Sequence, residues 1–244
     1  MVRNINFMVW GIYNLFDNGL LHSLISKNTF GEEKEALLIG LSFAFCIIFA
    51  YLVGSVNFAL VVSRLFYHDD VRRHGSGNAG MTNMLRTYGK GAAGLTLLGD
   101  LLKTVLAVCC GSFTLGAAFG GWIACLFCMM GHIFPVYYRF RGGKGVLCAA
   151  TGLLMLSPFA FVCCFLVFVL LVATTRYVSL GSVVAGLMLP LFINTYNKMF
   201  LTGGLNGLIS VLIALIILWC HRKNLGRISR REESKLSFGK KKDE

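Results

Sequence analysis

The sequence predicts an all-α integral membrane protein with about seven transmembrane helices. Its 244 residues are 56% hydrophobic and only 14% charged, and the mean hydropathy is +0.70. A water-soluble domain carries roughly 25% charged residues, so this composition excludes a disordered chain and argues against a soluble globule. The third observation is a series of apolar segments, most of them near the roughly 20 residues that cross a hydrocarbon core. These segments are 36–63, 92–110, 117–138, 145–156, 159–175, 178–195 and 204–220.

Residues 1–35 are predicted to form an N-terminal extension outside the membrane domain. Residues 5–16 are too short for a span and are interrupted by two asparagines, and no small-residue cleavage site of a signal peptide is present. We expect a helix here that lies in the membrane interface on the outer face. The membrane domain is assigned to residues 36–225 and a basic cytoplasmic tail to residues 226–244.

The apolar stretch 145–175 is predicted to form two helices. A single helix of that length would be about 46 Å long, well over the roughly 30 Å hydrocarbon core. Pro158 cannot continue the helical hydrogen-bond ladder, so the chain should break beside it. The first half is then short, and one or two of the seven helices are expected to be short or re-entrant.

The distribution of basic residues predicts the topology. Eighteen of the 23 Lys and Arg lie in four places, at 64–90, 139–144, Arg176 and 222–242. The positive-inside rule puts all four on the cytoplasmic side. This requires 145–175 to cross out and back, with the N-terminus outside and the C-terminus inside.

A glycine-rich segment at residues 75–86 is the most specific candidate for an anion site. Its glycines satisfy the GxGxxG spacing, but a dinucleotide fold needs a preceding strand, and membrane helices flank this segment. Glycines allow positive φ and a close approach of backbone N–H groups to an anion, although a polar loop that only caps the next helix is the alternative. The glycines are Gly75, Gly77 and Gly80, and the side-chain donors are Ser76, Asn78, Thr82, Asn83 and Arg86, whose guanidinium suits phosphate.

A second glycine-flanked segment, residues 139–145, lies between two predicted spans. It is not a Walker loop, because an upstream glycine is missing and Gly145 stands where Ser or Thr is required. It could still offer Lys144 and the N–H groups of Gly142 and Gly143 to an oxyanion. A turn that only fixes the topology is the alternative, and the first loop on the same face favours binding.

Two further groups of polar residues lie at predicted cytoplasmic ends of spans. Ser179 lies three residues after Arg176, and a serine at such a position usually caps a helix. His221, Asn224 and Arg227 follow the last span. Each is ordinary at a membrane boundary, and their interest lies in the convergence of four basic loops on one face.

Within the spans, Asp100 and Lys103 are the only carboxylate and the only ammonium group. Their i, i+3 spacing places them on one helix face, and charges inside a membrane normally pair. His132 ends the third span, just before the second loop. We predict a supporting role for all three residues.

Missing motifs exclude several classes of enzyme. No span holds paired acidic residues, which argues against a two-metal phosphotransferase. The sequence also lacks the HxxxxD motif of the usual glycerolipid acyltransferases and a GxSxG nucleophile elbow. The nine cysteines lie almost entirely in apolar stretches and are interpreted as small buried hydrophobic residues, not as disulfides. We predict neither a metal nor a cofactor.

In their order along the chain, these motifs resemble those of the PlsY family, bacterial membrane acyltransferases that transfer an acyl group from acyl phosphate to glycerol 3-phosphate. The resemblance covers about residues 42–236. It implies catalytic, binding and supporting positions. The catalytic residues are Ser76, Arg86, His221 and Asn224; the substrate- and phosphate-binding residues are Gly75, Gly77, Asn78, Gly80, Thr82, Asn83, Gly142, Gly143, Lys144, Gly145, Ser179 and Arg227; and the supporting residues are Asp100, Lys103, His132 and Glu233.

The resemblance also implies the products, lysophosphatidic acid and inorganic phosphate, in the first step of phospholipid synthesis. The expected partners are acyl phosphate, glycerol 3-phosphate and the lipid bilayer, and no nucleic acid is expected to bind. A functional coupling to an enzyme that produces acyl phosphate is also expected. The expected location is the bacterial cytoplasmic membrane, with the active site on the cytoplasmic face. His221 either accepts the proton of the attacking hydroxyl or donates a hydrogen bond to a phosphate; the second role is preferred because acyl phosphate is already activated.

A membrane permease or binding protein for a phosphorylated solute is the alternative. It would use the same basic loops, but a permease usually has polar groups along a path through the midplane. Here only Asp100 and Lys103 lie deep in the spans, so the enzyme is the favoured hypothesis.

Overall fold

The computed structural model describes residues 19–20, 23–24, 32–200 and 205–236. Regular structure within these ranges is entirely helical, as predicted. The interfacial helix predicted at residues 5–16 lies outside the described residues. The main helices are α1 (Glu32–Ser55), α2 (Phe58–Tyr67), α3 (Met81–Tyr88), α4 (Lys90–Leu115), α5 (Trp122–Ile133), α6 (Val146–Leu156), α7 (Pro158–Thr175), α8 (Val178–Phe200), α9 (Leu205–Cys220) and α10 (Arg222–Ser229).

Five helical segments of the described chain are long and apolar enough to cross a membrane. The pair α9 and α10 is bent by 52° and raises the number to six if it forms one span. A multi-pass membrane protein is therefore confirmed, whereas the predicted seventh crossing depends on α6, whose 11 residues extend only about 16 Å. The five segments are Glu33–Tyr67, Lys90–Leu115, Phe119–Tyr138, Pro158–Thr175 and Val178–Met199.

Two helix breaks shape the interior. The predicted one is present, because α6 ends at Leu156 and α7 begins at Pro158. A second break, which we did not predict, separates α1 from α2. There the Asn57 side chain caps α2 by accepting a hydrogen bond of 3.1 Å from the Leu60 N–H, and its amide donates to the Ala79 carbonyl oxygen at 3.2 Å. Asn57 therefore connects the start of α2 to the glycine-rich loop.

Close packing of α1 against α5 depends on glycine. A Cβ atom at Gly54 would lie 2.2 Å from the Cys128 carbonyl oxygen, and one at Gly131 would lie 2.2 Å from the Tyr51 carbonyl oxygen. Two backbones this close leave no room for a side chain, and such small-residue contacts are a common way for membrane helices to associate. Small, fully buried residues such as Ala50 complete the core beside them.

The interior ion pair predicted from the sequence is present. The Lys103 Nζ atom lies 2.8 Å from Asp100 Oδ1 and 3.0 Å from His132 Nδ1. It also donates to the carbonyl oxygens of Gly54 and Val56, at 3.0 and 2.7 Å. These carbonyls lie where α1 ends, so the helix itself provides no partner for them. The ammonium group therefore stabilises the break between α1 and α2.

Neither predicted domain boundary coincides with the end of a helix. α1 begins at Glu32, four residues before the predicted start of the membrane domain. α10 crosses the second boundary, and residues 230–236 return to the membrane domain, where the Leu236 N–H donates to the Arg176 carbonyl oxygen at 2.8 Å. Residues 237–244 lie outside the described part of the chain.

Candidate active site

A cavity of about 430 Å³ connects polar loops to an apolar space between helices. Its polar lining comes mainly from residues 76–86, from Lys144 and from residues that follow α9, with Asp100, His132 and Ser179 beside them. Its apolar lining comes mainly from α6, α7, α8 and α9. Segments far apart in the sequence therefore meet at one site. The predicted residues that line the cavity are Ser76, Asn78, Gly80, Thr82, Asn83, Arg86, Asp100, His132, Lys144, Gly145, Ser179, His221, Asn224 and Glu233.

Loop A, residues 74–80, is held from inside by Asn83. The Asn83 amide donates to two backbone carbonyl oxygens, one of them that of His74 at 3.0 Å, and its Oδ1 accepts from the Ser76 N–H at 2.9 Å. Gly75 has a φ of +55°, and a Cβ atom there would lie 2.3 Å from Asn83 Oδ1. The Asn83 side chain is thus hydrogen-bonded to the backbone of loop A and of Val71 just before it. It shapes the loop and also lines the cavity, and its predicted contact with substrate stays a prediction.

The groups left to meet a substrate on this side are the side chains of Ser76, Asn78, Thr82 and Arg86, which all line the cavity. Arg86 is exposed and donates one hydrogen bond of 3.0 Å, to the Ser234 carbonyl oxygen. A guanidinium carries five N–H donors, so most of them remain available. Of the three glycines of loop A, Gly80 lines the cavity, whereas Gly75 and Gly77 adopt positive φ and do not line it.

Loop B, residues 139–145, brings Lys144 to the cavity, but its paired glycines have another role. The N–H groups of Gly142 and Gly143 donate to carbonyl oxygens at the end of α5, each at 3.0 Å. A Cβ atom at Gly143 would lie 2.1 Å from His132 Nε2. These N–H groups are engaged within the protein and fix loop B to the end of α5. The predicted contact of Gly142 and Gly143 with a phosphate stays a prediction.

Glu233 is the centre of a network that joins the remaining predicted residues. Its Oε1 accepts from Ser179 Oγ at 2.8 Å and from Asn224 Nδ2 at 2.6 Å, and its Oε2 accepts from Arg227 Nε at 2.7 Å. The Asn224 Oδ1 atom accepts from Lys144 Nζ at 2.6 Å. Arg227, predicted to bind phosphate, does not line the cavity and pairs with Glu233 instead.

This network also determines the path of residues 145–178. Lys144 precedes α6 and Ser179 lies in the first turn of α8, and both side chains reach the network. The chain must therefore leave the site along α6 and return to it along α7.

Burial and neighbouring charges perturb two titratable groups of the network. Burial lowers the pKa of the Lys144 ammonium to about 8, although the Glu233 carboxylate opposes the shift. For Glu233, burial alone would raise the pKa, but hydrogen bonds from its three partners hold it below the ordinary value. The site therefore keeps a carboxylate beside a lysine that loses its proton readily. Within the described ranges, no group of three or more His, Cys, Asp or Glu side chains could hold a metal ion.

His221 is buried where α9 ends, and it lines the cavity. Its Nδ1 atom is 2.8 Å from the Ile217 carbonyl oxygen. That oxygen can only accept a hydrogen bond, so Nδ1 carries a proton. A neutral ring then has its lone pair on Nε2, and donation from Nε2 would require a second proton. The geometry leaves Nε2 of a neutral ring able to accept a proton, whereas the sequence alone preferred the hydrogen-bond-donor role.

The apolar wall of the cavity was not predicted. Phe161, Phe165 and Phe168 line it from one face of α7, at i, i+4 and i+7, and Ala185 and Leu189 line it from α8. The phenylalanine spacing is visible in the sequence. Because nearly every residue of α7 is apolar, the pattern does not distinguish a side that faces a cavity from one that faces lipid.

The chain matches the family model described as "Glycerol-3-phosphate acyltransferase" over residues 44–231. Glycerol-3-phosphate acyltransferase 3 of Bacillus anthracis is 40% identical to it over 200 residues, which cover 80% of this chain and 95% of that protein. Glycerol-3-phosphate acyltransferase of Clostridioides difficile is 37% identical over 208 residues, which cover 83% and 98% of the two chains.

Solved structures give the same result. The crystal structure of PlsY, an integral membrane glycerol 3-phosphate acyltransferase, in its glycerol 3-phosphate form is 33% identical with a TM-score of 0.71 and covers 80% of this chain and 96% of that chain. Its lysophosphatidic acid form is 31% identical with a TM-score of 0.68 and the same coverage. These matches set aside the permease hypothesis. The chain belongs to the glycerol-3-phosphate acyltransferase family.

Proposed function

We propose that this enzyme transfers an acyl group from acyl phosphate to glycerol 3-phosphate, giving lysophosphatidic acid and inorganic phosphate. The relatives support the acceptor, because they are glycerol-3-phosphate acyltransferases and PlsY has a glycerol 3-phosphate form. The observation that carries the proposal is the cavity, which joins cationic and polar groups to an apolar wall. An acyl phosphate has this same division, with an anion at one end and a hydrocarbon chain at the other.

The available cations fit two phosphates. Arg86 and Lys144 both line the cavity, and Ser76, Asn78 and Thr82 add neutral donors. Phosphate oxygens accept strong hydrogen bonds from guanidinium and ammonium groups. One phosphate belongs to the donor and the other to the acceptor, and the apolar wall of α7 and α8 accommodates the acyl chain.

The reaction needs no acid to activate the donor, because acyl phosphate is a mixed anhydride. The glycerol 3-phosphate hydroxyl oxygen attacks the acyl carbonyl carbon and forms the ester bond. The bond from that carbon to the phosphate oxygen breaks, and phosphate leaves with the electron pair. The hydroxyl proton passes to Nε2 of His221, whose Nδ1 is already bonded to the Ile217 carbonyl oxygen.

For the topology, we propose seven crossings, with the N-terminus outside and the C-terminus inside the bacterial cytoplasmic membrane. The shared network of Lys144 and Ser179 supports the return of the chain through α6 and α7. The positive-inside rule then favours an active site on the cytoplasmic face. Coupling to an enzyme that supplies acyl phosphate stays a prediction.

The donor is tested with the purified full-length protein, palmitoyl phosphate and glycerol 3-phosphate, with no coenzyme A ester present. We expect lysophosphatidic acid and inorganic phosphate in equal amounts, and no product when palmitoyl-coenzyme A replaces palmitoyl phosphate. Lys144→Gln should lower the rate, whereas Lys223→Gln, an exposed change on α10 outside the cavity, should not. Turnover of palmitoyl-coenzyme A without turnover of palmitoyl phosphate would contradict the proposal.

A further inference from the structure

Two consecutive carboxylates, Asp69 and Asp70, follow the end of α2. Neither side chain lines the cavity, and the sequence motifs gave them no role. Asp69 is nevertheless hydrogen-bonded to loop A, and Asp70 is linked to loop B through Arg72.

Asp69 contacts both ends of the segment that comprises loop A and α3. Its Oδ2 atom lies 2.6 Å from His74 Nε2 and accepts a hydrogen bond of 2.7 Å from Tyr88 Oη. His74 begins loop A, and its carbonyl oxygen also accepts from the Asn83 amide. Tyr88 ends α3, the helix that carries Arg86. One carboxylate thus connects the start of loop A to the end of the helix that follows it.

Asp70 is bonded to loop B through an arginine. The Arg72 guanidinium forms a fork on this carboxylate, with Nε 2.8 Å from Oδ1 and Nη2 2.5 Å from Oδ2. The remaining Arg72 nitrogen, Nη1, donates to the carbonyl oxygens of Arg141 at 2.8 Å and Tyr138 at 3.3 Å. The hydrogen bonds from Arg72 hold the pKa of Asp70 at about 2, so the carboxylate stays charged at any physiological pH.

We propose that Asp69 and Asp70 are positioning residues that hold loop A and loop B at a fixed separation. The two side chains are neighbours in the chain, so the position of one loop is tied to that of the other through a single peptide unit. Loop A precedes Arg86 and loop B carries Lys144, and the proposed reaction requires their two phosphates at a defined distance. The inference rests on that proposed function only for its kinetic test.

The test compares Asp69→Asn, Asp70→Asn and the control Glu232→Gln, whose exposed carboxylate pairs with Arg230. Asparagine keeps the shape of aspartate but weakens the charged hydrogen bonds. We expect the KM for glycerol 3-phosphate to rise at least fivefold and kcat/KM to fall roughly ten- to a hundredfold in both aspartate variants, because small displacements of binding groups are costly. A loss of folded protein alone would lower kcat and leave KM unchanged.

Limited trypsin digestion provides a readout that is independent of activity. Arg73 and Arg141 are exposed, next to loop A and within loop B. Asp69→Asn should accelerate cleavage after Arg73 and leave cleavage after Arg141 unchanged. Asp70→Asn should accelerate cleavage after Arg141 and leave cleavage after Arg73 unchanged. Both variants should keep the wild-type thermal unfolding midpoint.

Wild-type KM in both variants, or wild-type cleavage after both arginines, overturns the positioning role. Faster cleavage with an unchanged KM also overturns it, because the loops would then be tethered without effect on the substrate. If the wild-type protein does not use palmitoyl phosphate, the proposed function fails, and the cleavage pattern still decides whether the two carboxylates hold the loops.

Discussion

Glu233 shows how one side chain can fix groups from separate parts of the chain. Its carboxylate accepts hydrogen bonds from Ser179, Asn224 and Arg227, and Asn224 passes the contact on to Lys144. With the carboxylate engaged by three donors, the Lys144 ammonium interacts with an amide oxygen and with the cavity. The network therefore holds Lys144 beside the cavity without neutralising it in a direct ion pair.

The pKa of about 8 at Lys144 predicts a change in catalysis at alkaline pH. Below this pH the side chain is an ammonium that attracts phosphate, and above it the charge is lost. We expect kcat/KM for glycerol 3-phosphate, which reports the free enzyme, to fall as the pH rises through about 8, approaching about tenfold per pH unit.

Lys144→Arg is the matched variant for this pH profile. A guanidinium stays charged throughout the accessible range, so the alkaline fall should move out of the range even if the absolute rate is lower. An alkaline fall at the same pH in both proteins would show that another group, or the substrate, causes it.

His221 gives a second prediction at the scale of a single residue. Since its Nδ1 donates to Ile217, the proposed proton acceptor is Nε2, and neither glutamine nor alanine supplies a base there. We expect His221→Gln and His221→Ala to lower the rate at saturating glycerol 3-phosphate by similar factors, about 10²–10⁴. A folded His221→Gln protein that keeps most of the wild-type rate would instead assign His221 to hydrogen bonding.

At the scale of helices, the contact of α1 with α5 predicts an asymmetric effect of one methyl group. Gly54→Ala places a Cβ atom 2.2 Å from the Cys128 carbonyl oxygen, whereas Gly40, on the same helix, has no neighbour within 4 Å. Overpacking typically costs about 1–3 kcal/mol, so Gly54→Ala should lower the thermal unfolding midpoint in detergent and Gly40→Ala should not. Equal midpoints for the two variants would contradict the packing described here.

Elements with a local signal were predictable. The break at Pro158 follows from backbone chemistry, and the pairing of Asp100 with Lys103 follows from helix periodicity and the cost of a charge in the membrane. The break before Asn57 was not predictable, because it depends on Lys103, which lies 47 residues away from Val56 and binds its carbonyl oxygen.

The candidate site divides in the same way. Loop A and loop B were recognisable from composition, since glycines beside basic and amide residues are local features. The sequence does not indicate which backbone N–H groups of these loops are free, because Gly142 and Gly143 form hydrogen bonds to the end of α5 only in the folded chain. Likewise, Ser179 and Glu233 are 54 residues apart, and no pattern within either segment indicates their contact.

For the whole molecule, the charge distribution predicts which surface faces the cytoplasm. Single cysteines at Lys90, Arg139 and Arg222, all exposed positions near the site, should be protected from a membrane-impermeant thiol reagent in intact cells. A cysteine at Lys198, exposed near the end of α8, should be labelled. The background is a chain without its nine native cysteines. Labelling at position 139 with none at 198 would reverse the proposed orientation.

The hydrogen bond from Arg86 to Ser234 joins residues 148 positions apart, and this separation has a consequence for biosynthesis. A ribosome adds roughly 5–20 residues per second, so about 7–30 seconds pass between the synthesis of the arginine and that of its partner. During this interval the nascent protein already contains loop A but lacks Glu233, which joins Ser179 to Asn224 and, through Asn224, to Lys144. A nascent or prematurely terminated chain therefore lacks the complete candidate site, and we expect acyl transfer to begin only after translation has passed the last membrane helix.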